Sequence, residues 1–335
     1  MKKASVIGAG AWGTSLAQVL AQAGFDVLMW AKEEEVVDSI NEENQNSIFL
    51  KDFSLHKNIR CTDVIDEAVN FGEIIVNAVP TQFIRSSWSM VSEDLLGSNK
   101  IVINASKGIE EKTLKLVSMI FEDLFPGIVD DNFAVISGPS FAEEVTKNHP
   151  TSVSIAAVNE ELAKNLSGRL HLRHFRLYST SDITGVQLGG ALKNVMAIAA
   201  GAIDGMGLGF NTRAAMITRG LSEIARLGLE MGACGMTFSG LSGMGDLVLT
   251  CTGNLSRNRQ VGYRLGKGES VDAILSGMKQ VAEGVATSSS GYMLSKMYEV
   301  DMPITTAVYS GIFQKGTAKE ELSVILDREL KHDGI

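Results

Sequence analysis

The chain has 335 residues, 45% of them hydrophobic, and 39 acidic against 30 basic side chains give a formal net charge of −9. The length favours two domains over one core and the apolar content excludes wholesale disorder. The acidic balance argues against nucleic acid or an anionic membrane as partner and leaves small anionic ligands open, since a few local cations can outweigh the global charge.

A β-rich run at 4–8 opens the chain and leads into Gly8, Gly10 and Gly13, with a helical pattern at 13–23. Lys2 and Lys3 before an apolar run have the look of a signal peptide, but the three glycines make a poor signal helix. In G-x-G-x-x-G the first glycine makes the tight turn, the second admits a pyrophosphate, and the third lets helix and strand pack closely. A plain strand-to-helix turn is the bland alternative. The position directly after a strand and at a helix N-terminus, where amides and the dipole favour an anion, supports a dinucleotide site.

The second strand, 26–30, ends at Trp30 and is followed by Ala31 and Lys32, with Glu33 only after them. NAD-specific folds usually carry an acidic residue at this point to hold the ribose hydroxyls, whereas a lysine can neutralise a 2′-phosphate. Lys32 therefore leans the cofactor, NADP(H) or NAD(H), towards NADPH, with a solvated surface lysine as the competing reading. Further β-rich runs lie at 58–62, 73–79, 100–106, 133–137, 151–157 and 174–180, with helical patterns at 33–44, 81–95 and 113–124. The alternation predicts an α/β fold, a Rossmann-type domain with a mostly parallel sheet over residues 1–180.

From Ile183 onward the apolar spacing becomes helical, with patterns at 183–203, 211–231, 257–266, 270–277, 283–298, 304–313 and 317–327. An all-helical domain over 181–335 is predicted, carrying the substrate and the catalysis. The apolar stretch from Leu188 to Gly209 is interrupted by Lys193 and Asp204, so no membrane insertion is expected. Cys61, Cys234 and Cys251 are odd in number, widely spaced and without a CxxC. That pattern favours free thiols in a cytoplasmic setting, with no metal site.

Several polar residues stand out against this background. Lys107 follows a strand at the carboxyl end of the sheet, where open α/β folds bind ligands, although a loop lysine is the simpler account. Gly138, Pro139 and Ser140 make a turn into a helix, and Ser140 suits an N-cap there. Lys193 has Leu188, Ala197 and Ala200 among its helical neighbours, and the nearest other charges are Asp182 and Asp204. A lone lysine on a buried helix needs a partner or a function, or else snorkels to the surface. Asp246 follows a glycine-rich turn. Ser256-Arg257-Asn258-Arg259 offers a phosphate clamp through Arg257 and Asn258, since guanidinium recognises phosphate in bidentate fashion.

This ordered set resembles the bacterial NAD(P)-dependent glycerol-3-phosphate dehydrogenase family. The likeness rests on GAGAWGT (8–14), NAVPTQ (77–82), SKGIE (106–110), SGPSFAEE (137–144), GALKNVMAIAAG (190–201), FNTRAAMITRG (210–220), SGMGDLVLTCTGNLSRNR (242–259) and VAEGV (281–285). It implies Lys193 as the proton acceptor in glycerol 3-phosphate oxidation, with substrate contacts at Lys107, Gly138, Ser140, Lys193, Asp246, Ser256, Arg257 and Asn258. It also implies cofactor contacts at Gly8, Gly10, Ala11, Trp12, Gly13, Lys32, Lys107, Ala142, Arg257, Val281 and Glu283.

For Trp12 the implied roles are a backbone amide near the pyrophosphate and a ring covering the dinucleotide. The implied reaction is reversible reduction of dihydroxyacetone phosphate to sn-glycerol 3-phosphate, feeding phospholipid synthesis, in a homodimer. Two departures stand out: Phe49-Leu50-Lys51 replaces the family's frequent Tyr-Leu-Pro, and Lys32 occupies a position that varies among members. Desolvation would lower the Lys193 pKa and Asp246 would raise it, with no way to weigh the two from sequence. Two other readings are a related two-domain dehydrogenase such as a β-hydroxyacid dehydrogenase, and a non-catalytic dinucleotide sensor. The first would not need the SRNR clamp; the second would not need Lys107, Lys193 and Asp246 together.

Overall fold

A computed structural model of the chain describes residues 2–97, 99–278, 281–314 and 316–329. The chain divides into two units, Met1–Ser106 with Val117–Ile183, and Lys107–Leu116 with Thr184–Ile335. The short segment Lys107–Leu116 falls inside the sequence range expected for the first domain, yet it belongs to the second unit. The reason is apolar burial: Ile109 and Leu116 are both 0% exposed within the core cluster of the helical unit.

The first unit is built on eight strands: β1 (Lys2–Ile7), β2 (Phe25–Trp30), β3 (Ile59–Thr62), β4 (Ile74–Asn77), β5 (Ile101–Asn104), β6 (Phe133–Ser137), β7 (Thr151–Ala156) and β8 (Phe175–Thr180). They form one sheet in the order β3-β2-β1-β4-β5-β6-β7-β8. All pairings are parallel except β6 with β7. Every strand expected from the sequence is present. Its helices are α1 (Ala11–Gln22), α2 (Glu34–Glu43), α3 (Ile65–Phe71), α4 (Thr81–Trp88), α5 (Val117–Leu124), α6 (Ile128–Asp131), α7 (Ala142–Thr146) and α8 (Glu160–Arg169). The pattern expected as helix at 113–124 starts late because Leu114 adopts φ 60°, a left-handed conformation that no α-helix accommodates. α8 is capped by Asn159, whose Oδ1 accepts from Glu161 N at 3.1 Å and Leu162 N at 3.2 Å.

The second unit is helical: α9 (Ile183–Gly205), α10 (Phe210–Glu230), α11 (Gly235–Phe238), α12 (Asp246–Thr252), α13 (Arg257–Gly266), α14 (Val271–Ser276), α15 (Glu283–Met297), α16 (Pro303–Phe313) and α17 (Ala318–Leu326). A π-turn, Leu241–Gly245, runs directly into α12. α9 is long and apolar enough to cross a membrane, but 89% of its most apolar window is buried inside the unit, as in a core helix. It packs backbone to backbone on α13. A side chain at Gly201 would run into the Arg259 carbonyl, and one at Gly262 into the Ile198 carbonyl. This close approach fixes the start of α13, and with it Arg257 and Asn258, relative to Lys193 on α9.

Candidate active site

In the first unit the glycine loop joins β1 to α1, and each glycine has its own steric reason. Gly8 has φ +110°, and a Cβ there would lie 2.9 Å from the Ala78 carbonyl carbon. A side chain at Gly13 would collide with the Gly8 carbonyl oxygen, whereas around Gly10 there is nothing within 4 Å. The Gly8 amide donates to Trp30 O at 3.0 Å, and Thr14 N donates to Gly10 O at 2.9 Å to start the helix. The result is a tight turn with an open backbone face at a helix N-terminus, which fits a pyrophosphate. Ala11 is the first helical residue. Trp12 is only partly exposed: its ring packs against the core cluster, and its Nε1 is buried. Lys32 stands exposed just beyond β2.

The Gly138 turn follows β6. Gly138 has φ +148°, and a Cβ there would lie 2.9 Å from Val153 Cα. Ser140 is not the helix cap expected of it. Phe141 occupies the N-cap of α7 with no side-chain bond, and Ser140 Oγ donates back to Gly138 O at 2.9 Å instead. α7 starts one residue later than that expectation requires, so the hydroxyl closes the turn rather than the helix. Ala142, the first residue of α7, accepts from Ser15 Oγ of α1 at 2.7 Å through its carbonyl oxygen.

The helical unit brings together three residues that are far apart in sequence. Lys193 Nζ donates to Asp246 Oδ1, and Lys107 Nζ donates to Asp246 Oδ2 at 2.7 Å, so each carboxylate oxygen faces one ammonium. Asp246 is 0% exposed and Lys193 7%. Burial drives the Lys193 ammonium down from 10.5 to about 7, with Lys107 adding to the effect and Asp246 opposing it. Burial pushes the Asp246 carboxyl up, but the two lysines outweigh it and hold that carboxyl below its usual range.

Thr250 completes the cluster and was not expected from the sequence. Its Oγ1 accepts from Lys193 Nζ at 3.0 Å and donates to Asp246 O at 2.6 Å. The signal that could have found it is the i, i+4 spacing from Asp246 on one helix face, but α12 itself is too short to announce a period. Ser256 is the N-cap of α13, its Oγ accepting from Arg259 N at 3.2 Å. Asn258 is engaged at both ends of its amide: Nδ2 donates to Asn194 Oδ1 at 2.8 Å, and Oδ1 accepts from Gly284 N at 2.9 Å. One Nδ2 hydrogen remains for a ligand. Arg257 is exposed at the first position of α13, yet desolvation of its guanidinium lowers its pKa from the usual value, with the Glu283 carboxylate opposing that shift. Arg259 is committed elsewhere, to Asp204 at 2.7 Å. Val281 is 44% exposed just before α15, and Glu283 opens that helix. Among the described residues there is no cluster of metal-ligating side chains.

A dinucleotide-type cradle in one unit and a buried lysine able to exchange a proton in the other mark an oxidoreductase with separate coenzyme and catalytic parts. Known proteins carry the assignment further. Residues 3–163 match the family described as NAD-dependent glycerol-3-phosphate dehydrogenase N-terminus, and residues 182–323 match its C-terminus counterpart. The glycerol-3-phosphate dehydrogenase [NAD(P)+] of Citrifermentans bemidjiense is 46% identical over 334 residues, 100% of this chain and 99% of that one. The enzyme of the same description from Leptospira biflexa is 46% identical over 333 residues, 99% of this chain and 100% of that one. The crystal structure of glycerol-3-phosphate dehydrogenase from Coxiella burnetii superposes with a TM-score of 0.91 at 34% identity, covering 98% of this chain and 99% of that one. The chain belongs to the NAD-dependent glycerol-3-phosphate dehydrogenase family.

Proposed function

We propose that the protein reduces dihydroxyacetone phosphate reversibly to sn-glycerol 3-phosphate with NADH or NADPH, supplying glycerol 3-phosphate for phospholipid synthesis in the cytoplasm. The observation that carries this reading is the Lys193 ammonium, buried against Asp246 and Thr250 and poised near neutral pH. The coenzyme supplies a hydride to the ketone carbon when bound. Lys193 stabilises the charge that grows on the carbonyl oxygen and then gives it a proton; in the oxidation direction its neutral amine takes the proton from the hydroxyl.

Asp246 orients both amines and keeps one positive charge in excess beside the reacting oxygen. Thr250 holds Lys193 from a second direction and limits its swing. Arg257 and the free Nδ2 hydrogen of Asn258 hold the phosphate, so that binding energy spent away from the carbonyl positions it. Gly10, Ala11, Trp12 and Gly13 hold the pyrophosphate through backbone amides, Gly8 makes the turn that brings them there with its own amide on Trp30 O, and Gly138, Ser140 and Ala142 line the turn beyond β6.

Lys32 leans the preference towards NADPH by offering a cation to the 2′-phosphate, and the active assembly is a homodimer by likeness to the family. The test is the purified chain with dihydroxyacetone phosphate and each reduced coenzyme in turn, followed by loss of nicotinamide absorbance. Turnover is expected with both and a higher kcat/KM with NADPH. No turnover with either would reject the activity, and a higher kcat/KM with NADH would reject the preference.

A further inference from the structure

Asn46 lies outside every motif discussed so far, in the turn after α2 where Phe49-Leu50-Lys51 replaces the family's frequent Tyr-Leu-Pro. It is 0% exposed. A buried primary amide must satisfy two donors and an acceptor or cost stability. Asn46 satisfies all three within the first unit. Its Nδ2 donates to Ala9 O at 2.8 Å and to Thr14 Oγ1 at 2.8 Å, while its Oδ1 accepts from Phe49 N at 2.9 Å. Leu50 N also donates to Asn46 O at 3.2 Å, closing the turn on itself.

The two acceptors bracket the glycine loop. Ala9 lies between Gly8 and Gly10, and Thr14 follows Gly13 in the first turn of α1. In a planar trans peptide the carbonyl and the following amide point to opposite sides. Pinning the Ala9 carbonyl onto Asn46 therefore turns the Gly10 N–H away from Asn46. That is the amide which, at the N-cap of α1 and with open space around Gly10, is aimed at an anion. Gly10 itself has no side chain to restrain this peptide plane, and glycine backbone is freer than any other. The restraint comes from two side chains: Thr14 Oγ1 donates to Ala9 O at 3.3 Å from the first turn of α1, and Asn46 makes the shorter bond from outside the loop.

We propose that Asn46 is a positioning residue for coenzyme binding, fixing the Ala9–Gly10 peptide and the start of α1 so that the loop amides face the pyrophosphate. This rests on reading that loop as the dinucleotide site. The test is Asn46→Leu, which keeps the branched shape without the amide's donors and acceptor, measured by fluorescence titration of NADH and NADPH and by steady-state kinetics. The dissociation constant for either coenzyme is expected to rise about tenfold or more. KM for dihydroxyacetone phosphate, and kcat at saturating coenzyme, should stay within about twofold of the parent.

A merely structural role would lower the melting temperature without splitting the two KM values. An Asn46→Leu protein that binds coenzyme as the parent does overturns the proposal and leaves the dinucleotide site standing. A parent protein that binds neither coenzyme overturns that site and the proposal with it. Should Asn46→Leu fail to fold, Thr14→Val removes, at nearly constant volume, one of the two acceptors of Asn46 together with the Thr14 Oγ1 bond to Ala9 O. It should weaken coenzyme binding several-fold, and unchanged affinity there also overturns the proposal.

Discussion

Two carboxylates of the helical unit each stand between two cations, and they do different work. Asp246 holds Lys107 and Lys193. Asp204 holds Arg213, which reaches both of its oxygens at 3.1 Å, and Arg259, which donates from Nε at 3.1 Å and from Nη2 at 2.7 Å. The two groups are electrostatic neighbours, since Lys193, Asp246, Arg213 and Arg259 all act on the buried thiol of Cys251. Burial drives that thiol up to about 12, which leaves it protonated.

The difference lies in the cations. A guanidinium keeps its proton at any pH the fold survives, whereas a buried ammonium gives one up near neutrality. The arginine group ties α9, α10 and α13 together by geometry. The lysine group has a movable proton. Two clusters of the same net charge are thus a brace and, on the proposed function, a catalytic acid.

The sharpest way to break this comparison is at Lys193. Lys193→Ala should lower turnover by roughly 10²- to 10⁴-fold, the usual worth of a positioned general acid. Lys193→Arg should lose nearly as much although it keeps the charge. Arginine turnover within tenfold of the parent would show that charge alone suffices.

The pH profile sharpens the same point. With the ammonium near 7, kcat for reduction should fall about tenfold per unit above that pH as the donor loses its proton. The oxidation direction should fall in the same way below it. Profiles flat from pH 6 to 8 in both directions would remove Lys193 as the proton carrier.

A smaller effect is expected at the brace. Asp204→Asn should cost about 2 kcal/mol of stability, the scale of hydrogen bonds to a charged group, and leave the inflection of the pH profile in place. A shifted inflection in a folded Asp204→Asn protein would mean that the two clusters share one proton equilibrium.

Glu223 on α10 extends the comparison to a carboxylate held by backbone instead of cations. It is 1% exposed and accepts from Ile304 N at 2.6 Å, Thr305 N at 3.1 Å and Thr305 Oγ1 at 3.0 Å at the start of α16. Burial raises its pKa from 4.5 to about 7 against those donors. The folded state therefore binds more protons than the unfolded state between these values. The stability this provides is complete below about pH 4.5 and is lost as the pH rises through about 7, by at most about 1.4 kcal/mol per unit. Glu223→Gln should flatten that slope in denaturant titrations across pH 5 to 7. An unchanged slope would place the titration elsewhere.

Much of this was legible in the sequence. The eight strands and the long helices follow from apolar periodicity. The glycine loop follows from spacing, and the need of Lys193 for a partner from the absence of any other charge between Asp182 and Asp204 on an apolar helix. Short elements escaped, α3, α6 and α12 among them, because four to seven residues scarcely complete two helical turns. α8 was missed although its Asn159 cap and the acidic first turn were there to be seen.

By itself the sequence determined the periods, the glycine spacing and the isolation of Lys193, all of which are set by residues near one another in the chain. Only the tertiary structure decided the partnerships. Lys107 meets Asp246 across 139 residues, Lys193 meets it across 53, and Asn46 reaches Ala9 across 37. It also decided that Ser140 closes a turn instead of capping a helix, and that Lys107–Leu116 leaves the sheet's unit for the helical one. The direction of the Lys193 shift belongs here too. Desolvation and the Asp246 charge act with opposite signs, and their balance depends on depth of burial and distance, which no spacing in the chain encodes.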